Sequence, residues 1–345
     1  MSATKSAILD LSPQEVDALL ARMGHKPYRA RQALAWIYQH RAASWHEMTD
    51  LPLALRNDLD TRFGGFLPEV VREARSEDGT RKLLLSLTDG ARIEMVLIPT
   101  EGKSTLCISS QVGCARRCAF CATARMKLQR NLDPGEMVGQ MLLARRLLGD
   151  DDRLTNIVLM GMGEPMDNLD SVLTAVRILQ HERGAAFSPR RMTLSTCGVA
   201  PGIRALADSG IKLKLAVSLN AALDEKRQAL MPVARTWPLG QLKRTLMDFA
   251  RRTPFRVTLE YIMMDGFNMG EDDVRALRRF CGDLACKLNL IPYNPVPGLP
   301  WQRPGEQAME AFMARLADLP VAVTLRRSRG SDVNAACGQL AASEG

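Results

Sequence analysis

Residues Thr105–Cys121 read TLCISSQVGCARRCAFC. Cys114, Cys118 and Cys121 form a C-x3-C-x2-C triplet. A triplet at this spacing arises by chance in about 0.4% of chains of this length and cysteine content, so it asks for a chemical reason. A structural zinc site wants four protein ligands, often as two paired knuckles. Only one compact triplet stands here, and no His lies at ligand spacing beside it. Iron–sulfur clusters are held by thiolates, four for a cubane, so three would leave one iron open to a substrate or cofactor. The triplet therefore reads as an iron–sulfur site with a free position.

Outward from this loop the chain alternates. Strand-like runs lie at Asn156–Met160, Arg191–Ser195, Lys212–Leu219, Arg256–Met264, Lys287–Ile291 and Val321–Arg326. Helical patterns separate most of them: Glu136–Leu148, Leu169–Gln180, Leu239–Arg252, Asp272–Ala285 and Gln307–Ala317. Repeated βα units predict a parallel sheet with helices outside. Six or so units are too few for a closed eight-fold barrel, and a partial barrel and a doubly wound sheet both fit the pattern. In either, sites gather at the C-terminal ends of the strands. Gly161–Pro165, Ser195–Gly198, Ser218–Asn220 and Tyr293–Pro295 fall there.

Before the cysteines, two apolar runs, Lys82–Leu87 and Ala91–Ile98, flank Asp89-Gly90 and predict a β-hairpin. The first 65 or so residues read as helices. Ser12-Pro13-Gln14-Glu15 makes a capped start, and Ala33, Leu34, Ile37 and Tyr38 mark a second helix. The expected organisation is a helical module over 1–65, a hairpin extension over 66–104 and an α/β core over 105–340.

The 345 residues are 46% apolar and 24% charged, enough for a large core and incompatible with wholesale disorder. The net charge of +8 suits an anionic partner without proving one. Arg116, Arg117, Arg125, Lys127 and Arg130 surround the cysteine loop, with further groups at Arg190–Arg191 and Arg326–Arg329. No apolar run approaches the length of a membrane-spanning helix, and the N-terminus lacks a long apolar h-region. The expectation is a cytoplasmic protein with no membrane partner, in which eight cysteines are not a disulfide framework.

The triplet, with an aromatic residue before its last Cys, resembles the radical S-adenosylmethionine (SAM) superfamily. Together with GMGEP (161–165), LSTCG (194–198), AVSLNA (216–221), LIPYNP (290–295) and DVNAACGQL (332–340), the chain resembles the RlmN/Cfr family of radical SAM RNA adenine methyltransferases. KPYRARQALAWIY (26–38) and MTDLP (48–52) are similar to that family's N-terminal module. The resemblance implies a partial (β/α)6 TIM-like barrel carrying the helical module, which serves RNA binding, and the hairpin extension. It implies a 4Fe–4S cluster on Cys114, Cys118 and Cys121. It implies two SAM molecules per turnover, with contacts at Gly163, Glu164, Ser195, Ser218, Leu219, Asn220 and Asn294. Many relatives carry His where this chain has Asn220; Asn can still hydrogen-bond a ribose or carboxylate.

The implied substrates are 23S rRNA and tRNA, and the implied reducing partner is a low-potential electron donor such as flavodoxin. The implied reaction is methylation of C2 of adenosine. This carbon is electron-poor and cannot attack a methyl cation donor, so a radical route avoids asking a poor nucleophile to act as one. By the same resemblance Cys337 carries the methyl group as S-methylcysteine. Cys107 resolves a covalent protein–RNA adduct through a transient disulfide with Cys337, and Glu94 accepts the C2 proton. Alternatives within reach of the same residues are C8 methylation of adenine and a radical SAM reaction on a different substrate. Cys281, Cys286 and Cys197 read as core.

Overall fold

The computed structural model describes residues 7–149 and 152–342; residues 1–6 of the expected helical module lie outside them. Three helices open the chain: α1 (Pro13–Arg22), α2 (Pro27–Tyr38) and α3 (Leu53–Phe63). The cap foreseen at Ser12 is in place. Glu15 N donates to Ser12 Oγ at 3.3 Å, and Ser12 N donates to the Glu15 carboxylate at 2.7 Å. Val16, Leu20, Leu34, Ile37, Trp45, Leu55 and Leu59 bury the inner faces.

The strands are β1 (Glu69–Arg75), β2 (Arg81–Ser86), β3 (Arg92–Thr100), β4 (Lys103–Cys107), the two-residue β5 (Gln111–Val112) and β6 (Arg130–Asn131), β7 (Arg153–Leu159), β8 (Met192–Thr196), β9 (Lys214–Ser218), β10 (Val257–Met263), β11 (Cys286–Pro292) and β12 (Ala322–Leu325). The remaining helices are α4 (Pro134–Leu147), α5 (Leu169–Gln180), α6 (Ala200–Asp208), α7 (Asp224–Leu230), α8 (Val233–Thr236), α9 (Leu239–Arg252), α10 (Glu271–Cys281) and α11 (Glu306–Ala314).

One sheet runs β1-β2-β3-β4-β7-β8-β9-β10-β11-β12. Strands β1 to β4 pair antiparallel, and from β4 onward every pair is parallel. Six βα units end in a seventh parallel strand, and β12 does not hydrogen-bond to β4. This is the open, partial (β/α)6 barrel. The hairpin extension is continuous with its sheet through β3–β4 pairing.

Alternation along β10 shows how the layers divide. Leu259 and Tyr261 face outward, where the Tyr261 ring stacks on Phe312 of α11 at 5.9 Å. Glu260 and Ile262 line an internal cavity. The helical module docks on α4, whose Gly135 N donates to Asp10 at 2.7 Å and whose Arg145 donates to Tyr38 O at 3.0 Å.

Several elements depart from the sequence reading. β1 was not expected, because Val70 and Val71 in EVVREAR stay exposed on an edge strand rather than marking a core face. β4 carries no internal alternation that separates it from the loop after it, yet it is the first barrel strand. α6 starts Ala-Pro-Gly, which reads as a turn, although Pro is tolerated in the first helical turn. The helix expected over Asp272–Ala285 stops at Cys281, where Gly282 begins a turn into β11.

Beyond β10 the chain turns on Asn268. Its Nδ2 donates to Asn220 O at 2.8 Å and Ile262 O at 2.7 Å, and its Oδ1 accepts from Met264 N at 2.8 Å. All are buried, so Asn268→Ala should strand three backbone groups. The expected loss is about 3 kcal/mol of folding stability, read as a lowered urea midpoint; a change under about 0.5 kcal/mol, the size of a neutral surface substitution, would show that the turn holds itself.

Candidate active site

The cysteine loop is clamped at its base by β5 and β6. Gly113, at φ +80, allows the entry: a Cβ there would lie 2.2 Å from Lys127 O. Inside the loop Cys121 N donates to Cys118 O at 3.1 Å and Ala119 N donates to Leu230 O at 2.8 Å. Trp301 Nε1 donates to Ala119 O at 3.1 Å. The loop is also tied to the C-terminal segment. Ala122 N donates to Gly338 O at 2.7 Å, and Thr123 Oγ1 donates to Leu340 O at 2.6 Å. These bonds carry Cys337 to the triplet.

Cys114, Cys118, Cys121, Gly163, Glu164, Ser195, Ser218, Asn220 and Cys337 line one cavity of about 150 Å3. The triplet also borders an open groove of about 640 Å3, shared with Arg116, Arg117, Arg125 and Lys127. A third space, about 250 Å3, lies against Cys107, Ile98, Val158 and Arg326 and shares Cys337 with the first. Leu219, Asn294 and Glu94 line neither the first nor the third of these spaces.

Glu164 bridges two strand ends. Its carboxylate accepts from Met166 N at 3.1 Å and from Cys197 N at 2.8 Å, and burial holds its pKa above the usual carboxylate range. Gly163 sits at φ +100, where a Cβ would meet Gln111 Cβ at 2.6 Å, so only glycine brings this backbone so close. Asn220 takes φ +58, a conformation Asn tolerates. Its Oδ1 accepts from Ile262 N at 3.0 Å. Leu219 N donates to Glu260 O at 2.9 Å, so this residue registers β9 against β10. Asn294 Nδ2 donates to Cys337 O at 3.2 Å and steadies the segment bearing that thiol.

Glu94 projects from β3 into protein. Its carboxylate accepts from Ala341 N at 2.9 Å and lies 3.3 Å from Lys82 Nζ. Cys107, the last residue of β4, is pushed up to about 12 by burial, then by Cys337, against the opposing influence of Arg326. All eight cysteines are free thiols.

Three site features escaped the sequence reading. Arg116 is not a free surface cation. It pairs with Asp167, its Nε donating at 2.6 Å, and its guanidinium lies over the Trp237 ring. Arg227 is fully buried and donates to Cys197 O at 2.7 Å, Leu219 O at 3.2 Å and Ser218 O at 3.3 Å, drawing three strand-end carbonyls together. Glu260 lines the first cavity with Oε2 unpartnered. A Glu within the apolar run VTLEYIM was the available signal.

The residues fit an iron–sulfur cluster with SAM beside it. Three thiols of one loop line the same cavity as a set of polar strand ends. Among the described residues no group of three or more His, Cys, Asp or Glu converges as a single-ion site; a cubane spreads its thiolates over different irons. Fold and site together define a radical SAM enzyme.

Comparison with known proteins narrows this. Residues 6–63 match the ribosomal RNA large subunit methyltransferase N-terminal domain, and residues 108–281 match the radical SAM superfamily. The chain is similar to a probable dual-specificity RNA methyltransferase RlmN of Chlorobium phaeovibrioides, at 45% identity over 99% of this chain and 94% of the relative. It is 44% identical to the dual-specificity RNA methyltransferase RlmN of Geobacter sulfurreducens over 96% of this chain and 91% of that one. A crystal structure of a radical SAM methyltransferase from Sphaerobacter thermophilus superposes with a TM-score of 0.95 at 43% identity, covering 98% of this chain and 99% of that one. The chain belongs to the RlmN family of radical SAM RNA methyltransferases, and its cofactors are a 4Fe–4S cluster and SAM.

Replacing Cys118 by Ala should abolish the visible absorption of anaerobically reconstituted protein and remove nearly all its iron, while far-UV circular dichroism is retained. Stoichiometric zinc without iron in the unaltered protein would contradict the assignment.

Proposed function

We propose that this chain methylates C2 of adenosine in 23S rRNA and tRNA, with Cys337 as methyl carrier and Cys107 as resolving thiol. The observation that carries the reading is the position of Cys337. It lies on the wall between the cavity holding the triplet and the cavity holding Cys107. When bound, the cluster and two SAM molecules per turnover supply one methyl group and one hydrogen-abstracting radical.

The chain's residues divide the remaining work. Cys337, open to both cavities, takes the methyl group on its sulfur. Cys107 stays protonated because burial raises its pKa, so it does not compete for that methyl. Once the methyl carbon of Cys337, carrying the unpaired electron left by hydrogen abstraction, is joined to adenine C2, Glu94 is the proposed acceptor of the C2 proton. The one remaining electron returns to the oxidised cluster, when bound, which restores a closed-shell ring. Attack of Cys107 sulfur on Cys337 sulfur then forms a disulfide as the sulfur–carbon bond to the adduct breaks; the proton given up by the Cys107 thiol goes to that carbon, which leaves as the methyl of the base. A dithiol reductant returns both cysteines to thiols, and a low-potential donor of the flavodoxin kind supplies electrons to the cluster.

Gly163, Glu164, Ser195, Ser218, Leu219, Asn220 and Asn294 are the proposed SAM contacts; of these Leu219 and Asn294 do not line the cavity of the triplet, and Asn294 holds the Cys337 segment through its side-chain amide. Arg117, Arg125 and Lys127 are exposed around the open groove and suit RNA phosphates. The helical module over 1–65 is the proposed RNA-binding accessory domain, the segment 66–104 the extension and 105–340 the core. No helix among the described residues is long and apolar enough to cross a membrane; the proposed location is the cytoplasm.

The two thiols should fail differently. Cys337→Ala should give neither product nor a protein–RNA adduct. Cys107→Ala should accept the methyl group, attack the base and stall as a nuclease-sensitive adduct through Cys337 on denaturing electrophoresis. Normal turnover by Cys107→Ala, or an adduct mapped to another residue, would falsify the assignment. Product mapped to C8 would move the reaction to the other carbon.

A further inference from the structure

Arg326 follows β12 and lines two cavities, the one with the triplet and the one with Cys107. Four basic side chains border these two spaces, and three are engaged. Arg116 pairs with Asp167, Arg327 lies 3.4 Å from Glu306, and Arg329 donates to Pro99 O. The Arg326 guanidinium has no hydrogen bond or ion pair among the described residues. Its electrostatic neighbours are Cys337 first, then Glu260 and Cys107. Glu260 does not close on it: Oε1 accepts from Asn289 at 3.2 Å and Oε2 is unpartnered. A half-buried guanidinium that faces both cavities without a partner keeps its N–H donors free for a ligand that enters either one. The walls around it are Ile98, Val158, Met160 and Ile291, apolar surfaces suited to a flat ring.

The target chemistry says what that ligand offers. Adenine C2 lies between N1 and N3, and both nitrogens present lone pairs and no donor hydrogen. When a carbon radical adds to C2, electron density moves onto these nitrogens. A fixed N–H donor there binds the transition state more tightly than the resting base. Arg presents several N–H groups in one plane, always charged. From these observations, and resting on the adenine-C2 reading above, we propose that Arg326 is a further catalytic residue: its guanidinium donates to a ring nitrogen beside C2, holding the target adenine edge-on to Cys337.

The test uses reconstituted full-length enzyme and three synthetic RNA hairpins carrying adenosine, 1-deazaadenosine or 3-deazaadenosine at the target position. Each deaza base removes one acceptor and leaves the other. Arg326→Met should lower kcat/KM on adenosine RNA roughly 10- to 100-fold, the range for losing a hydrogen bond from a charged donor. On the deaza RNA that lacks the accepting nitrogen, Arg and Met enzymes should differ by less than about twofold, whereas on the other the penalty should persist. Arg326→Lys, which keeps the charge and a donor, should lose less and show the same dependence on the base. It carries the comparison where the methionine variant makes no product. An equal penalty on all three RNAs, as damage to packing would give, overturns the role, and so does no penalty at all. Absence of C2-methylated product from the unaltered enzyme on adenosine RNA removes the adenine-C2 reading itself, a different result from equal penalties.

Discussion

The site depends on a backbone clasp. Ala122 N, one residue past the last cysteine of the triplet, donates to Gly338 O, one residue past Cys337, at 2.7 Å. Thr123 Oγ1 on Leu340 O repeats the link, one residue further along the first segment and two along the second. Sequence separates these segments by most of the barrel, so no local propensity can bring them together. The clasp forms only after six βα units have carried the chain round to β12. Other bonds guide the C-terminal segment to the same place: Gly330 N on Asp78, Asp332 accepting from Ser76, Asn294 on Cys337 O and Ala341 N on Glu94. The hairpin extension thus has a structural task at the site, because β3 and the turn before β2 are what the segment closes against.

The same segment accounts for the two-chambered arrangement. Cys337 is placed where one cavity looks toward the triplet and the other toward Cys107. On the proposed roles, a thiol buried in only one of them would meet a methyl donor or a resolving thiol, but not both. Burial raises the Cys107 thiol to about 12, which holds it as a neutral group.

Much of this was legible in the sequence because the signals are local. The triplet, the Ser12 cap, the Asp89-Gly90 turn and the helix Leu169–Gln180 each follow from spacing or pattern within one element. The cavity lining at Gly163, Glu164, Ser195, Ser218 and Asn220 followed from the rule that sites gather at strand ends. What stayed hidden depends on partners far along the chain. Arg116 reads as surface charge until Asp167 is placed beside it. Arg227 is exposed by every compositional expectation, yet it is fully buried because three carbonyls need a donor. Glu94 reads as a strand carboxylate, and its contact with the C-terminal segment exists only in the closed fold.

The claim that Cys337 receives the methyl group first can be tested by incubating anaerobically reconstituted enzyme with trideuteromethyl SAM and no RNA, followed by peptide mass spectrometry. The account predicts a trideuterated methyl on the peptide containing Cys337, absent from Cys107, and lost from the protein into the base when RNA is added. Label on another residue, or full methylation of RNA by a protein whose Cys337 never carries label, would contradict it.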